Sequence, residues 1–294
     1  MKNKALKRLI FGILAIPVCF SLFSFTTIPS VKTDTIVNTG FKLKTVIVDA
    51  GHGDKTTGPG HFSFGATGSI STERQVTLAV ATKLQKAIEK NITGVNAVLT
   101  RKTPEDVSFE RRAEIANENK GDLFISIHCN ALADRIVRQK VGKKYTSVRV
   151  PNRSGKGVLM LVYGLKRTRE QQNEIKSNSI EEDMDGGALD PNDPVTIILT
   201  NEYIRKFRVR SISMANILAN EFVDVDARKL EGIREQSLYV LCHAAMPSVL
   251  VEIGYINNPE EEEYMNSEEG QEQIVNTIVR SIQAYKDKVE QVAR

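Results

Sequence analysis

Three short apolar runs in this 294-residue chain each stop at a side chain able to bind a metal or carry a proton. Val46-Ile47-Val48 leads through Asp49-Ala50 into the turn Gly51-His52-Gly53. Leu123 to Ile127 ends at His128, and Val249-Leu250-Val251 ends at Glu252. Runs this short, rich in β-branched residues and without polar alternation, read as strands buried on both faces. Such strands belong to parallel sheets covered by helices on both sides. Ligands of those sheets bind beyond the carboxyl ends of the strands, which is where His52, His128 and Glu252 fall.

Between the runs the apolar period changes from strand to helix. Glu73 to Glu89 places Val76, Val80, Leu84 and Ile88 on one stripe, and Glu268 to Lys288 does the same with Ile274, Ile278, Ile282 and Tyr285. Further helices are predicted over Phe109 to Asn119, Val195 to Phe222 and Pro259 to Met265. Further strands are predicted over Val95 to Thr100, Gly157 to Tyr163 and Ser237 to Leu241. The alternation predicts an α/β fold: a single three-layer α/β/α domain over 43–290 around a twisted, largely parallel sheet. From Lys166 to Pro194 the pattern breaks. This stretch is charged, poor in apolar residues and contains Gly186-Gly187, and reads as an inserted, mobile helix-loop segment over 166–194.

The formal charge of +4 comes entirely from Lys2, Lys4, Lys7 and Arg8. Without them the basic and acidic residues balance, so the charge argues against a nucleic-acid partner. Those four residues precede an apolar run from Leu9 to Phe25, and no acid occurs in the first thirty positions. Residues 1–30 therefore read as a signal peptide or membrane anchor, and 31–42 as a polar linker. An exported protein in the periplasm or cell envelope is expected, touching a membrane only through this segment. Beyond it only Cys129 and Cys242 remain, both in apolar surroundings and expected as buried free thiols.

Two histidines and a carboxylate with a fourth position left open are the donor set of a catalytic zinc site. His52 and His128 supply the nitrogens. Glu73 is the strongest acid candidate, although an acid at a helix start, behind a Ser71 or Thr72 cap, also suits the helix dipole without any metal. His61 and His243 have no second donor at ligand spacing and are expected to be structural. Glu252 ends a run that reads as buried, where an ionised carboxylate is costly unless it is paired or near a metal. Its structural explanation would be an ion pair with Arg101 or Arg112; its functional one is a general base and acid.

These residues stand in motifs that resemble a family. His52 lies in Val-Asp-Ala-Gly-His-Gly, Glu73 opens the next helix, and His128 lies in Ser-Ile-His-Cys-Asn-Ala. Glu252 lies in Val251-Glu252-Ile253-Gly254-Tyr255-Ile256-Asn257-Asn258-Pro259-Glu260-Glu261. Leu99-Thr100-Arg101, Arg112 to Asn117, and Tyr239-Val240-Leu241 before Met246-Pro247 fall between them in order. Together they resemble the zinc-dependent N-acetylmuramoyl-L-alanine amidases of the amidase 3 type, over essentially the whole chain after the linker. The resemblance implies a Zn2+ cofactor held by His52, Glu73 and His128, with Glu252 as the catalytic carboxylate. It implies peptidoglycan as substrate, cut at the amide between the lactyl group of N-acetylmuramic acid and L-alanine. Two departures accompany it: the loop from His52 to Glu73 is long, and Arg74-Gln75 follows Glu73 in place of a lysine and an acid or amide. The 166–194 insertion resembles a regulatory segment that blocks the active site. On that reading Glu170, Glu174, Glu181 or Glu182 reaches the zinc, and an activator protein acts on the insertion; a solvated charged loop is the alternative. Two other functions stay open: a zinc hydrolase for a different amide of the wall peptide, and a wall-binding protein without catalysis.

Overall fold

The protein is described by a computed structural model covering residues 40–54, 60–142, 144–180 and 193–291. The expected export segment and nearly all of the linker lie outside the described residues, as do Glu181, Glu182 and Gly186-Gly187.

Six strands form one sheet: β1 (Thr45–Ala50), β2 (Asn96–Leu99), β3 (Leu123–Asn130), β6 (Val158–Tyr163), β7 (Leu230–Gln236) and β8 (Ser248–Tyr255). Their order is β2-β1-β3-β8-β6-β7. β1 pairs in parallel with β2 and β3, and β3 with β8. β6 runs antiparallel to β8 and parallel to β7, so the sheet is mixed with one reversed junction. β4 (Arg135–Val141) and β5 (Lys144–Val150) form a separate antiparallel hairpin.

The helices are α1 (Glu73–Asn91), α2 (Phe109–Glu118), α3 (Thr168–Ile175), α4 (Pro194–Asn220), α5 (Tyr239–His243), α6 (Pro259–Asn266) and α7 (Glu268–Gln291). One face of the sheet packs on α1, α4 and α7. The stripes anticipated on α1 and α7 (Val76, Val80, Leu84 and Ile88; Ile274, Ile278, Ile282 and Tyr285) are buried there with Met214, Leu218 and Phe222 of α4 and its continuation. Each such side chain contributes about 1.5–3 kcal/mol by leaving water. The other face carries a thinner layer, where Ile47, Phe124, Leu161 and Leu250 meet Ala116 of α2 and Val240, Leu241 and Cys242 of α5. Strand side chains alternate between faces, so Asp49, Ser126, His128 and Glu252 follow Ile47, Phe124 and Leu250 onto this thin side. Cys129 and Cys242 are free and buried, as expected.

Four features differ from the sequence expectations. Ser237 to Leu241 is not a strand: its apolar run belongs to the short helix α5, a case where periodicity cannot separate a buried strand from a buried helical turn. The strand that precedes it, β7, lies over Leu230–Gln236, a charged stretch on the sheet edge. The hairpin β4–β5 carries no strand signal in the sequence, because its strands mix basic, polar and apolar residues without regular alternation and bury none of them. Within the insertion, Thr168–Ile175 is a packed helix rather than a loose one, with Ile175 fully buried against Ile204 and Phe207 of α4.

Candidate metal centre and its neighbouring carboxylate

The turn after β1 is built from below by two buried arginines. Arg112 donates to the Asp49 carboxylate at 2.6 Å, to the carbonyls of Ala50 (2.6 Å) and His52 (2.8 Å), and to Asp106 at 2.7 Å. Arg101 donates to the carbonyls of Ala50 and Gly51, both at 3.2 Å. Burial alone would raise the Asp49 carboxyl, but Arg112 and the hydroxyls of Ser126 and Thr100 hold it below its ordinary range. These arginines therefore serve Asp49 and the turn. Neither pairs with Glu252, which removes the structural explanation considered for that residue.

Held in this way, His52 takes a left-handed backbone conformation, φ 59°, that non-glycine residues rarely adopt. Its Nδ1 lies 3.0 Å from the Ser63 carbonyl oxygen, which can only accept. With a metal on Nε2, that carbonyl would accept the Nδ1 proton and fix the tautomer a metal ligand requires. Gly51 is obligatory beside it, since a Cβ there would lie 2.5 Å from the His128 ring.

Glu73 is the first residue of α1, behind the N-cap Thr72, whose backbone N–H donates to Gln75 Oε1 at 3.0 Å. Its Oε1 lies 3.0 Å from His52 Nε2 and 2.9 Å from His128 Nδ1, and also accepts from the Cys129 N–H at 3.0 Å. Its Oε2 accepts from the Ala66 N–H at 2.7 Å. Burial would raise this carboxyl, yet the two imidazoles hold it well below the usual carboxylate range. The ligand atoms of His52, Glu73 and His128 all lie within 4.8 Å of one another, so this group could hold a metal ion. Two imidazole nitrogens and a carboxylate oxygen around a shared centre fit zinc better than calcium or magnesium, which prefer oxygen shells.

Glu252 stands beside His128 in the β3–β8 register. Its Oε2 is buried without a hydrogen-bond partner. Burial, and then the negative charge of Glu73, push its carboxyl up to about 8. A cation among the three donors would offset the negative charge of Glu73 and draw the Glu252 carboxyl back down. A cavity of about 280 Å³ opens onto these groups, with Phe109, Leu161, Leu238 and Tyr239 as its apolar wall.

The other candidates lie elsewhere. His61 pairs with Glu110 at 2.5 Å on the surface. His243 stacks on Tyr239 at 3.8 Å and faces Glu170 at 3.5 Å. Glu170 is thus engaged at His243, and Glu174 at Asn117 and Asn178, rather than at the three donors.

One supporting residue had no signal in the sequence. Glu262 of α6 is buried and accepts from the backbone N–H groups of Ser69 (2.7 Å), Ile70 and Ser71 (both 2.8 Å). It fixes the turn from which Glu73 starts. Glu262→Ala would strand three donors and is expected to cost about 1–3 kcal/mol, read as a lower midpoint in urea unfolding.

Residues 46–284 match the N-acetylmuramoyl-L-alanine amidase family Amidase_3. The chain belongs to this family. It is similar to the N-acetylmuramoyl-L-alanine amidase AmiA of Escherichia coli, 24% identical over 82% of this chain and 76% of that protein. It is also similar to the probable amidase AmiB of Haemophilus influenzae, 27% identical over 82% of this chain and 52% of that protein. The solved structure of AmiC2 of Nostoc punctiforme superposes with a TM-score of 0.55 at 24% identity, over 84% of this chain and 98% of that one. The α/β architecture is therefore that of the Amidase_3 catalytic domains.

Proposed function

We propose that this chain is a zinc-dependent N-acetylmuramoyl-L-alanine amidase, exported to the cell envelope, that cuts the amide between N-acetylmuramic acid and L-alanine in peptidoglycan. The supporting observation is an adjacency within a member of this family: the donors His52, Glu73 and His128 meet beside a buried, unpartnered Glu252 oxygen. In this reading the three donors hold Zn2+, which when bound supplies Lewis acidity for the scissile carbonyl and brings the pKa of water to about 7. Glu252 takes the proton of the attacking water on its free oxygen and delivers it to the alanine nitrogen as that leaves. Asp49 and Arg112 position the His52 turn without touching the reacting atoms. Phe109, Leu161 and Tyr239 keep one flank of the cavity apolar and so limit water there. Residues 43–290 would form the catalytic domain, with 1–30 as signal or anchor. The 166–194 insertion would be where an activating protein acts.

Removal of metal gives the direct test. Dialysis against a chelator is expected to abolish release of stem peptides that begin with L-alanine, followed by mass spectrometry of digested peptidoglycan. Stoichiometric Zn2+ should restore it. Unchanged release from metal-free protein would refute zinc dependence, and peptides beginning at another residue would point to a different amide.

A further inference from the structure

The geometry points to a second binding region beside the catalytic cavity: an arginine-bearing groove, formed with the β4–β5 hairpin, that takes the carboxylates of an acidic peptide. This deepens the amidase reading and rests on it for the identity of that peptide, the stem of the wall polymer.

The groove encloses about 570 Å³. Its walls are continuations of the segments that deliver the catalytic groups. Ala66 to Ser69 follow from the contact between Ala66 and Glu73. Ala131 to Asp134 continue the strand that carries His128, and Asn257 lies five residues beyond Glu252. The groove therefore borders the Glu73 side of the site, where Ala66 meets that carboxylate. The hairpin side contributes Ile136, Arg149 and Arg153.

The frame that holds those arginines is built. Asn257 donates to the carbonyls of Leu132 (2.8 Å) and Asn152 (3.1 Å) and accepts from the Leu132 N–H, tying both stems of the hairpin to the end of β8. Asn258 donates to the Gly155 carbonyl at 2.7 Å. Arg135 is committed to Asn152 and Ser154, and Lys156 to Glu260. The side chains of Arg149 and Arg153, by contrast, make neither a hydrogen bond nor an ion pair among the described residues. Asp134 is the one acid that lines the groove among those residues, so the balance there is positive. The surrounding sequence agrees: eight basic residues and no acid occur from Arg135 to Lys156, in a chain whose charges beyond its first eight residues balance as a whole.

Two uncommitted guanidinium groups at the wall of a groove are suited to carboxylates, which they can bind in forked pairs. An extended peptide advances about 3.3–3.6 Å per residue, so the first few residues of a peptide held at the catalytic site would run along this groove. In the peptidoglycan stem the residue after L-alanine is linked through its side-chain carboxyl and keeps its α-carboxylate free. That group is the expected partner.

The test uses the full chain and two muropeptides, identical except that this α-carboxylate is free in one and amidated in the other. The wild-type protein is expected to favour the acidic substrate in kcat/KM by about 10- to 100-fold, the range expected for charge-assisted contacts. The double variant Arg149→Gln, Arg153→Gln should lose that preference through KM, with kcat retained, the amidated substrate cut as before, and thermal unfolding unchanged. A double variant that keeps the preference, or a wild-type protein that shows none, would overturn the groove assignment while leaving the amidase reading intact. Calorimetric titration with the free acidic stem tripeptide separates the remaining case. Binding by wild type but not by the double variant, with neither muropeptide hydrolysed, would uphold the groove and refute the amidase reading. Absence of binding together with absence of preference would refute the groove.

Discussion

Glu252→Gln is expected to slow hydrolysis of peptidoglycan about 10²–10⁴-fold, the range associated with loss of a general acid–base group, without releasing bound metal. The substitution keeps the shape of the side chain and removes its ability to take and return a proton. Glu252 is not among the donors that meet at His52 and His128, so zinc content measured by atomic absorption should stay at the wild-type level. Stability should not fall either. The buried Oε2 makes no hydrogen bond, so no partner is left stranded by the change. Wild-type turnover by the variant would remove Glu252 from the mechanism. Loss of zinc together with activity would instead make it a ligand.

Arg112→Met should have the largest effect on stability, about 3–5 kcal/mol, because it removes the cation from a buried cluster and leaves its carboxylate partners behind. Asp49 and Asp106 are both almost inaccessible, and the lost guanidinium also bonded the carbonyls of Ala50 and His52. The pH dependence carries a defined sign. In the wild-type fold the Asp49 carboxyl is held below its ordinary 3.8, so its contribution is present above that value and declines as pH drops through the lower, folded value. In the variant burial dominates and Asp49 tends to the neutral form. The difference between the two proteins should therefore be widest near neutrality and narrow below about pH 4. Urea unfolding at pH 7 and at pH 3.5 checks this. A gap that stayed constant would show that Arg112 acts through packing alone.

Much of the fold was legible because burial leaves a periodic trace. Val46 to Val48, Leu123 to Ile127 and Val249 to Val251 are buried, and short β-branched runs of this kind suit a sheet covered on both faces. The stripes of α1 and α7 follow from the same cause. The convergence of His52, Glu73 and His128 was legible for a related reason, since strand tips of one sheet and the helix that follows are brought to one edge. What escaped has no periodic trace. β4 and β5 bury nothing, so neither face selects a residue type. β7 is an edge strand whose charges face solvent. Arg112 with Asp49, and Glu262 with the turn at Ser69, join positions 63 and 193 apart, and no local pattern marks such pairs.

The hairpin also has a colloidal consequence. Two paired strands leave two outer edges, each with backbone groups free to zip onto another molecule. On this ribbon Arg138, Lys140, Lys144 and Arg149 are all exposed beside those edges. Two copies approaching edge to edge bring like charges together, and the repulsion keeps the ribbon single in dilute salt. At about 1 M ionic strength the screening length shrinks to about 3 Å and that protection fades. Concentrated salt is thus the condition under which this protein would be most prone to self-association.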